Sequence, residues 1–444
     1  MTILAVAAVL LAPSVLALPS LAPPVSVPTR DLVVDFSDGL SDAEAGHLIR
    51  APGTSAADLV RAAAAQMGYR RLDVPALPPL PAEMPLAAAL ATLYQVSNTS
   101  YDPAELKVAV ATVDPRVQAP TARIVLALAE VGRLQQAATA TLTLDDQWAL
   151  VNALHHDQWG AEWRAAADKV RVDLLAVGAV LLLETIDGAV PELQAAATAG
   201  AWPPGGFIDP AGLIHLGTEG GDEYRSRRWL YLDPGGDDVY TDLCNSGGAD
   251  PQSDVLIYRW TPILAAASID LGGDDTHRRS LSSPLAIQGV GGASTGVLWD
   301  ETGTDDFVYG YQGSGFTGVG VLNDRTGNDR REPSGFGAGH GRRGVGILLD
   351  VAGDDTTFQS SASIGTAADR GVGIYKDEGG RDAYSTETTG AFGWTLDYTP
   401  PLSSNATFTD LGSQVDSYPT WSPNIPAGNN KDWRDGRGGS GRDS

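Results

Sequence analysis

Six times between residues 233 and 382 the chain repeats the pattern Asp-x-x-Gly-x-Asp. The copies are Asp233/Gly236/Asp238, Asp270/Gly273/Asp275, Asp300/Gly303/Asp305, Asp324/Gly327/Asp329, Asp350/Gly353/Asp355 and Asp377/Gly380/Asp382. A degenerate copy, Gly217/Gly220/Asp222, precedes them, and another, Asp410 to Asp416, follows without a central glycine. From first Asp to first Asp the spacings are 37, 30, 24, 26, 27 and 33 residues. A unit of about 25 residues is too short for a four-stranded propeller blade, which takes about 40. It suits one coil of a β-solenoid, with two or three short strands joined by turns. A glycine-rich β-sandwich or barrel is the alternative.

The rest of each unit fits the same reading. Ahead of the turn lies a strand pattern, as in Gly296-Val297-Leu298-Trp299 and Val345-Gly346-Ile347-Leu348. Two places after the second Asp stand Tyr224, Tyr240, His277, Phe307, Arg331, Thr357, Tyr384 and Tyr418. That position is mostly aromatic, as suits side chains that stack on their counterparts in adjoining coils. The central glycine is expected to take a positive φ and let the turn close.

Upstream of residue 200 the grammar differs. Only 9 of the 52 glycines fall in residues 1–200, and the chain there is rich in Ala and Leu. Helical spacing of apolar residues marks 55–69, 103–113 and 161–186, with Thr54 or Ser55 and Asp102 as N-caps. Thr143 or Asp145 would cap a further helix. The predicted fold class is therefore α+β with two domains, a helical one over 32–200 and an Asp/Gly-rich β-repeat over 201–424. The helical half and the segment after Asp410 would cap the two open ends of the solenoid. Residues 425–444 read as a disordered tail. His155-His156-Asp157 reads as a polar helix end, because adjacent helical residues point about 100° apart and cannot easily share one site.

Stacked in register, equivalent aspartates would sit about 4.8 Å apart, in two columns along one edge of the solenoid. Like charges at that distance repel by about 3.5 kcal/mol per pair at an effective dielectric of about 20. Two readings account for such columns. A hard divalent cation between coils would offset the charge, with Asp233, Asp238, Asp270, Asp275, Asp300, Asp305, Asp324, Asp329, Asp350, Asp355, Asp377 and Asp382 as ligands. Alternatively each carboxylate caps its own turn and is solvated, with Arg331, Arg342, Arg343 and Arg381 near enough in sequence to neutralise part of a column. Of the three carboxylates in Asp350–Asp355, Asp354 is expected to matter least, having counterparts only at Asp237 and Asp274.

The core Gly-x-Asp-x-Tyr, with GGDD at 235–238 and 272–275, is similar to the second half of the RTX calcium-binding nonapeptide. That resemblance implies Ca2+ between coils of a parallel β-roll, with the second Asp of each unit, Asp238 through Asp382, as ligand. The RTX period is nine residues, whereas this one is about 25, so the resemblance covers the turn alone.

Composition removes several functions. A formal charge of −25 argues against nucleic acid and anionic membrane as partners. The chain holds 42 Asp against 13 Glu, a preference that points to turns or to ligands placed on turns. A single cysteine, Cys244, rules out an intramolecular disulfide, and no Cys/His cluster suggests zinc. No Walker loop is present, no dinucleotide fingerprint is followed by the right acidic residue, and GVGVLN and its relatives are repeat strands whose glycines carry little evidence for phosphate binding. The apolar run from Ile3, ending in Val15-Leu16-Ala17, reads as a signal peptide over 1–17, followed by a Pro-rich linker over 18–31. The longest later apolar run, 174–183, is about half of what a membrane span needs, so no transmembrane helix is expected after signal cleavage. The expectation is an exported prokaryotic protein, structural or binding in role, at or outside the cell surface. Its partner there would be a polysaccharide or another surface protein. The alternative is a calcium-dependent carbohydrate-active enzyme, a lyase or glycoside hydrolase on a β-helix.

Overall fold

The computed structural model describes residues 40–156, 159–225, 228–241, 245–249, 262–263, 265–278, 287–359, 364–386, 406–409 and 416–421. The expected signal peptide, linker and tail, and Cys244, lie outside them. So do the side chains of His155 and His156, and Asp157; the backbone has its helix ending at His156.

Eight helices come first: α1 Asp42–Arg50, α2 Ala56–Gln66, α3 Pro85–Val96, α4 Pro103–Val110, α5 Pro115–Thr139, α6 Leu144–His156, α7 Ala161–Ala167 and α8 Val172–Thr198. Their starts follow local chemistry. Ser55 accepts the Asp58 amide, Asp102 that of Ala104 and Asp114 that of Arg116, each at the head of a helix. Thr143 is the cap of α6, exchanging bonds with Asp146. Thr54 instead turns its hydroxyl back to the Leu48 and Ala51 carbonyls. The sequence pattern of 161–186 read as one helix; the structure breaks it after Ala167, where the Arg171 amide leaves to bond the Ala138 carbonyl at 3.0 Å. Helices α1, α3 and α5 had no counterpart in that reading.

From Phe207 onward the chain winds into a parallel β-solenoid. Its main sheet runs, in order, Phe207–Ile208, Ile214–Leu216, Leu230–Asp233, Ala265–Asp270, Thr295–Asp300, Val319–Asp324, Val345–Asp350, Val372–Asp377 and Asp416–Trp421. Register is strict. Asp233, Asp270, Asp300, Asp324, Asp350 and Asp377 lie opposite one another rung by rung. After each turn a second run of strands pairs Tyr224, Tyr240, His277, Phe307, Arg331, Thr357 and Tyr384 in the same way. Tyr418 does not join that column. It pairs with Tyr375 on the main sheet, and Phe408 takes the place opposite Tyr384, because both final strands run antiparallel and close the C-terminal end of the stack.

The central glycines answer to crowding between rungs. A Cβ on Gly273, Gly303, Gly327, Gly353 or Gly380 would run into the carbonyl oxygen of the central glycine one rung earlier. The expected positive φ occurs at Gly236, Gly273 and Gly380, but not at Gly303, Gly327 or Gly353. In those three rungs it is the close approach that demands glycine.

Alternation along the main sheet sorts its side chains. Val321, Ile347 and Ile374 join one apolar core with the helices, while Leu298, Leu322, Leu348 and Tyr375 fill the solenoid interior with Phe307. The helices therefore cover the flat face of the sheet instead of capping an end, because Val and Ile on every rung need an apolar cover. They lie in a row: α3 beside α5, α5 beside α8, α8 beside α2 and α2 beside α1. Helix α5 touches Ala265–Asp270, α8 touches Thr295–Asp300 and Val319–Asp324, and α2 touches Val345–Asp350 and Val372–Asp377. The joint is polar at its margins. Lys376 Nζ donates to the Ala51 carbonyl at 2.6 Å and pairs with Glu378, which accepts the Gly53 amide. Helix α8 is long and apolar enough by length and composition to cross a bilayer, but 67 % of its most apolar stretch is buried inside the protein, as in a core helix.

Candidate metal centre

Parity along the strand decides where the first aspartates go. Asp324 stands two places after Leu322, so both point into the solenoid. All twelve aspartates are 0–2 % exposed. The columns are thus internal, not a solvated edge as the turn chemistry suggested, since the strand continues its alternation up to the Asp.

The second column builds a hydrogen-bond ladder along the stack. The amides of Asp222, Asp238, Asp275, Asp305, Asp329 and Asp355 each donate to Oδ1 of the second Asp on the next rung, at 2.5–2.9 Å. A second ladder runs on the surface in the opposite direction. There the amides of Asp274, Thr304, Asp354 and Arg381 donate to Asp237, Asp274, Asn328 and Asp354 of the preceding rung. Asp354 is therefore a ladder member, and Asn328 is the counterpart that an Asp-only comparison passes over.

The first column caps its turns only in part. Asp233, Asp270 and Asp377 accept the amide two residues on, while Oδ1 of Asp300, Asp324 and Asp350 takes no hydrogen bond. Tyr224 and Tyr240 donate their hydroxyls to Asp233 and Asp270 of the next rung. Phe307 has nothing to donate. Of the four arginines named from sequence, only Arg331 enters the columns. Arg342 lies over the Trp159 ring and Arg343 pairs with Asp168, while Arg381 contributes its amide to the outer ladder.

Between the two columns carboxylates converge in threes, with oxygens within 4.8 Å of one another: Asp222/Asp233/Asp238, Asp238/Asp270/Asp275, Asp275/Asp300/Asp305, Asp324/Asp329/Asp350 and Asp350/Asp355/Asp377. All the expected ligands except Asp382 fall in such a cluster, and Asp222 of the degenerate copy joins them. Its membership was legible in the alignment of turns, where it occupies the second-Asp position.

Burial dominates the electrostatics. It pushes Asp233 up to about 9 and Asp305 up to about 8, each helped by neighbouring aspartates. Asp238 and Asp275 rise to about 6, with the ladder amides pulling the other way. Asp270, Asp300, Asp324 and Asp350 are driven well above the carboxylate range by the same desolvation. Burial is the largest influence on Asp355 and raises it, yet the Arg331 guanidinium together with hydrogen bonds with Asp350 and with the Asp329 amide holds that carboxyl below its usual value. Desolvation lowers His277 to about 3, so it is neutral and brings no charge to Asp300. The interior requires either bound protons or a bound cation.

Fold and site together define a parallel β-solenoid with a carboxylate-lined interior, one face of which is roofed by helices. No family model, curated protein or solved structure matches the chain.

Proposed function

We propose that this is an exported, non-catalytic scaffold whose solenoid is clasped from within by calcium ions. It acts at or outside the cell surface, as a structural or binding element. The observation that carries the reading is Asp300. Neither of its oxygens takes a hydrogen bond, the residue is fully buried, and it sits in a cluster with Asp275 and Asp305. Leaving a carboxylate so placed costs far more than pairing it with a cation.

The donor set favours a hard ion, since it is all carboxylate oxygen. Two oxygens on one calcium, each about 2.4 Å from it, lie at most about 4.8 Å apart, and the oxygens of each cluster all fall within that distance of one another. Magnesium, at about 2.0–2.1 Å, wants a tighter cage. The sealed carboxylates are out of reach of a polymer substrate, which favours a structural role for them over acid–base work. Export is supported by the apolar segment 3–17, and extracellular modules hold calcium at about 10⁻⁴–10⁻³ M.

Thermal unfolding of the full chain, with millimolar calcium and with chelator, tests the reading. The full chain is needed because the solenoid alone would bare its Val/Ile face. The expected result is a higher midpoint in calcium. An unchanged midpoint, with no ion retained after dialysis, would mean that the clusters are held by protons alone.

A further inference from the structure

The side chains two places after the second aspartate change chemistry along the stack. Tyrosines at 224 and 240 donate to carboxylates, His277 stands 3.9 Å from Asp300, and Phe307 offers no polar atom. Arg331 comes next. Its side chain is fully buried, and one guanidinium nitrogen lies 2.6 Å from Asp324, 2.6 Å from Asp350 and 3.2 Å from Asp329. The other terminal nitrogen lies 3.4 Å from Asp355. One rung later the position holds Thr357.

Cluster membership changes at the same point. The first three clusters each join the second Asp of one rung to both aspartates of the next. Continued, the pattern would give Asp305, Asp324 and Asp329. The fourth cluster is instead Asp324, Asp329 and Asp350, the three carboxylates that meet at one nitrogen of Arg331. A positive charge already stands in the middle of an oxygen cage like its neighbours. Among the described residues no Arg or Lys stands within ion-pair distance of the seven carboxylates of the first three clusters, and Asp238, Asp275, Asp300 and Asp305 each keep an oxygen without a hydrogen bond.

We propose that Arg331 is a built-in cation standing where a divalent ion stands in the neighbouring clusters, so that the stack takes ions as a bank of three before this rung and none at it. The inference rests on the cation reading above and adds to it the number of ions and the residue that limits it. Charge favours the arrangement. Three divalent ions set six positive charges against seven carboxylates in the first bank, whereas one guanidinium serves the four at Arg331. An immobile cation in the stack also keeps one rung closed when calcium is withdrawn.

The test is calcium bound per chain, measured by equilibrium dialysis of the full-length wild type and Arg331→Thr, threonine being the occupant one rung on. Arg331 also engages Asp350 and Asp355 of the fifth cluster, so three ions in the wild type and at least four in the variant is the expected result. Equal, non-zero counts overturn the role of Arg331 and leave the cation reading standing. A wild type that binds none overturns both. Should Arg331→Thr fail to fold, His277→Arg carries the test: an arginine at the same column position beside the first three clusters is expected to protect the solenoid against unfolding in chelator and to shrink the gain from calcium. A gain from calcium equal to that of the wild type would overturn the proposal.

Discussion

The amide of Asp275 donates to Oδ1 of Asp305, 2.6 Å away and one rung on, while Oδ2 of the same carboxylate takes no hydrogen bond. One oxygen thus belongs to the ladder and the other to the cluster. The two roles separate by mutation. Asp305→Asn keeps an acceptor for the Asp275 amide, so stability in chelator should stay near wild type while calcium binding drops. Asp305→Ala removes the acceptor and leaves a buried amide unpaired, which should cost about 1–3 kcal/mol. Denaturant midpoints of both variants, with and without calcium, check this.

Gly353→Ala should destabilise by about 1–3 kcal/mol or more, since its Cβ would meet the Gly327 carbonyl in the adjoining rung. Strain in φ plays no part, because Gly353 lies outside the left-handed region. Gly188, in an exposed turn of α8 with nothing near its Cβ, is the control. There Ala should stabilise by about 0.5–1 kcal/mol. Comparable unfolding midpoints for the two variants would count against the crowding account.

Without divalent ions, stability should fall as pH rises. Folded Asp238 and Asp275 hold protons to about pH 6, Asp305 to about 8 and Asp233 to about 9. The unfolded chain releases them near pH 4. Their contribution is therefore fully present below about pH 4 and is lost as pH climbs through 6 to 9. Calcium binding needs the deprotonated forms, so the gain from calcium should grow over the same window. Melting curves from pH 4.5 to 8.5, in chelator and in calcium, would show the two trends diverging.

Lys376→Met should cost about 3–5 kcal/mol, because it strands Glu378, a largely buried carboxylate, at the joint between α2 and the sheet. Adding Glu378→Gln should recover part of the loss. Chemical denaturation of the single and double variants measures both effects.

Much of the solenoid was legible because repetition writes register into the sequence: Asp-x-x-Gly-x-Asp aligned Asp300 with Asp324 and Phe307 with Arg331, and the sheets pair them so. Direction was harder to read. That Asp324 points inward follows from its sharing strand parity with Leu322, but turn-forming residues invite a solvent-facing reading. The crowding at Gly327 depends on a neighbouring rung and leaves no local mark. The placement of the helices was illegible for a similar reason. Val345 and Ile347 announce that a face must be covered, but nothing local says by what.

The row of helices over the sheet has a geometric consequence. Packed helices stand about 8–10 Å apart, and two strand spacings come to about 9.6 Å. The helices and the strands are commensurate at one to two, as α8 over Thr295–Asp300 and Val319–Asp324 and α2 over the next pair display. The roof thus acts as a ruler. A single duplicated coil would leave one strand bare, so a longer relative of this protein should gain coils in pairs, each pair arriving with a helix to cover it.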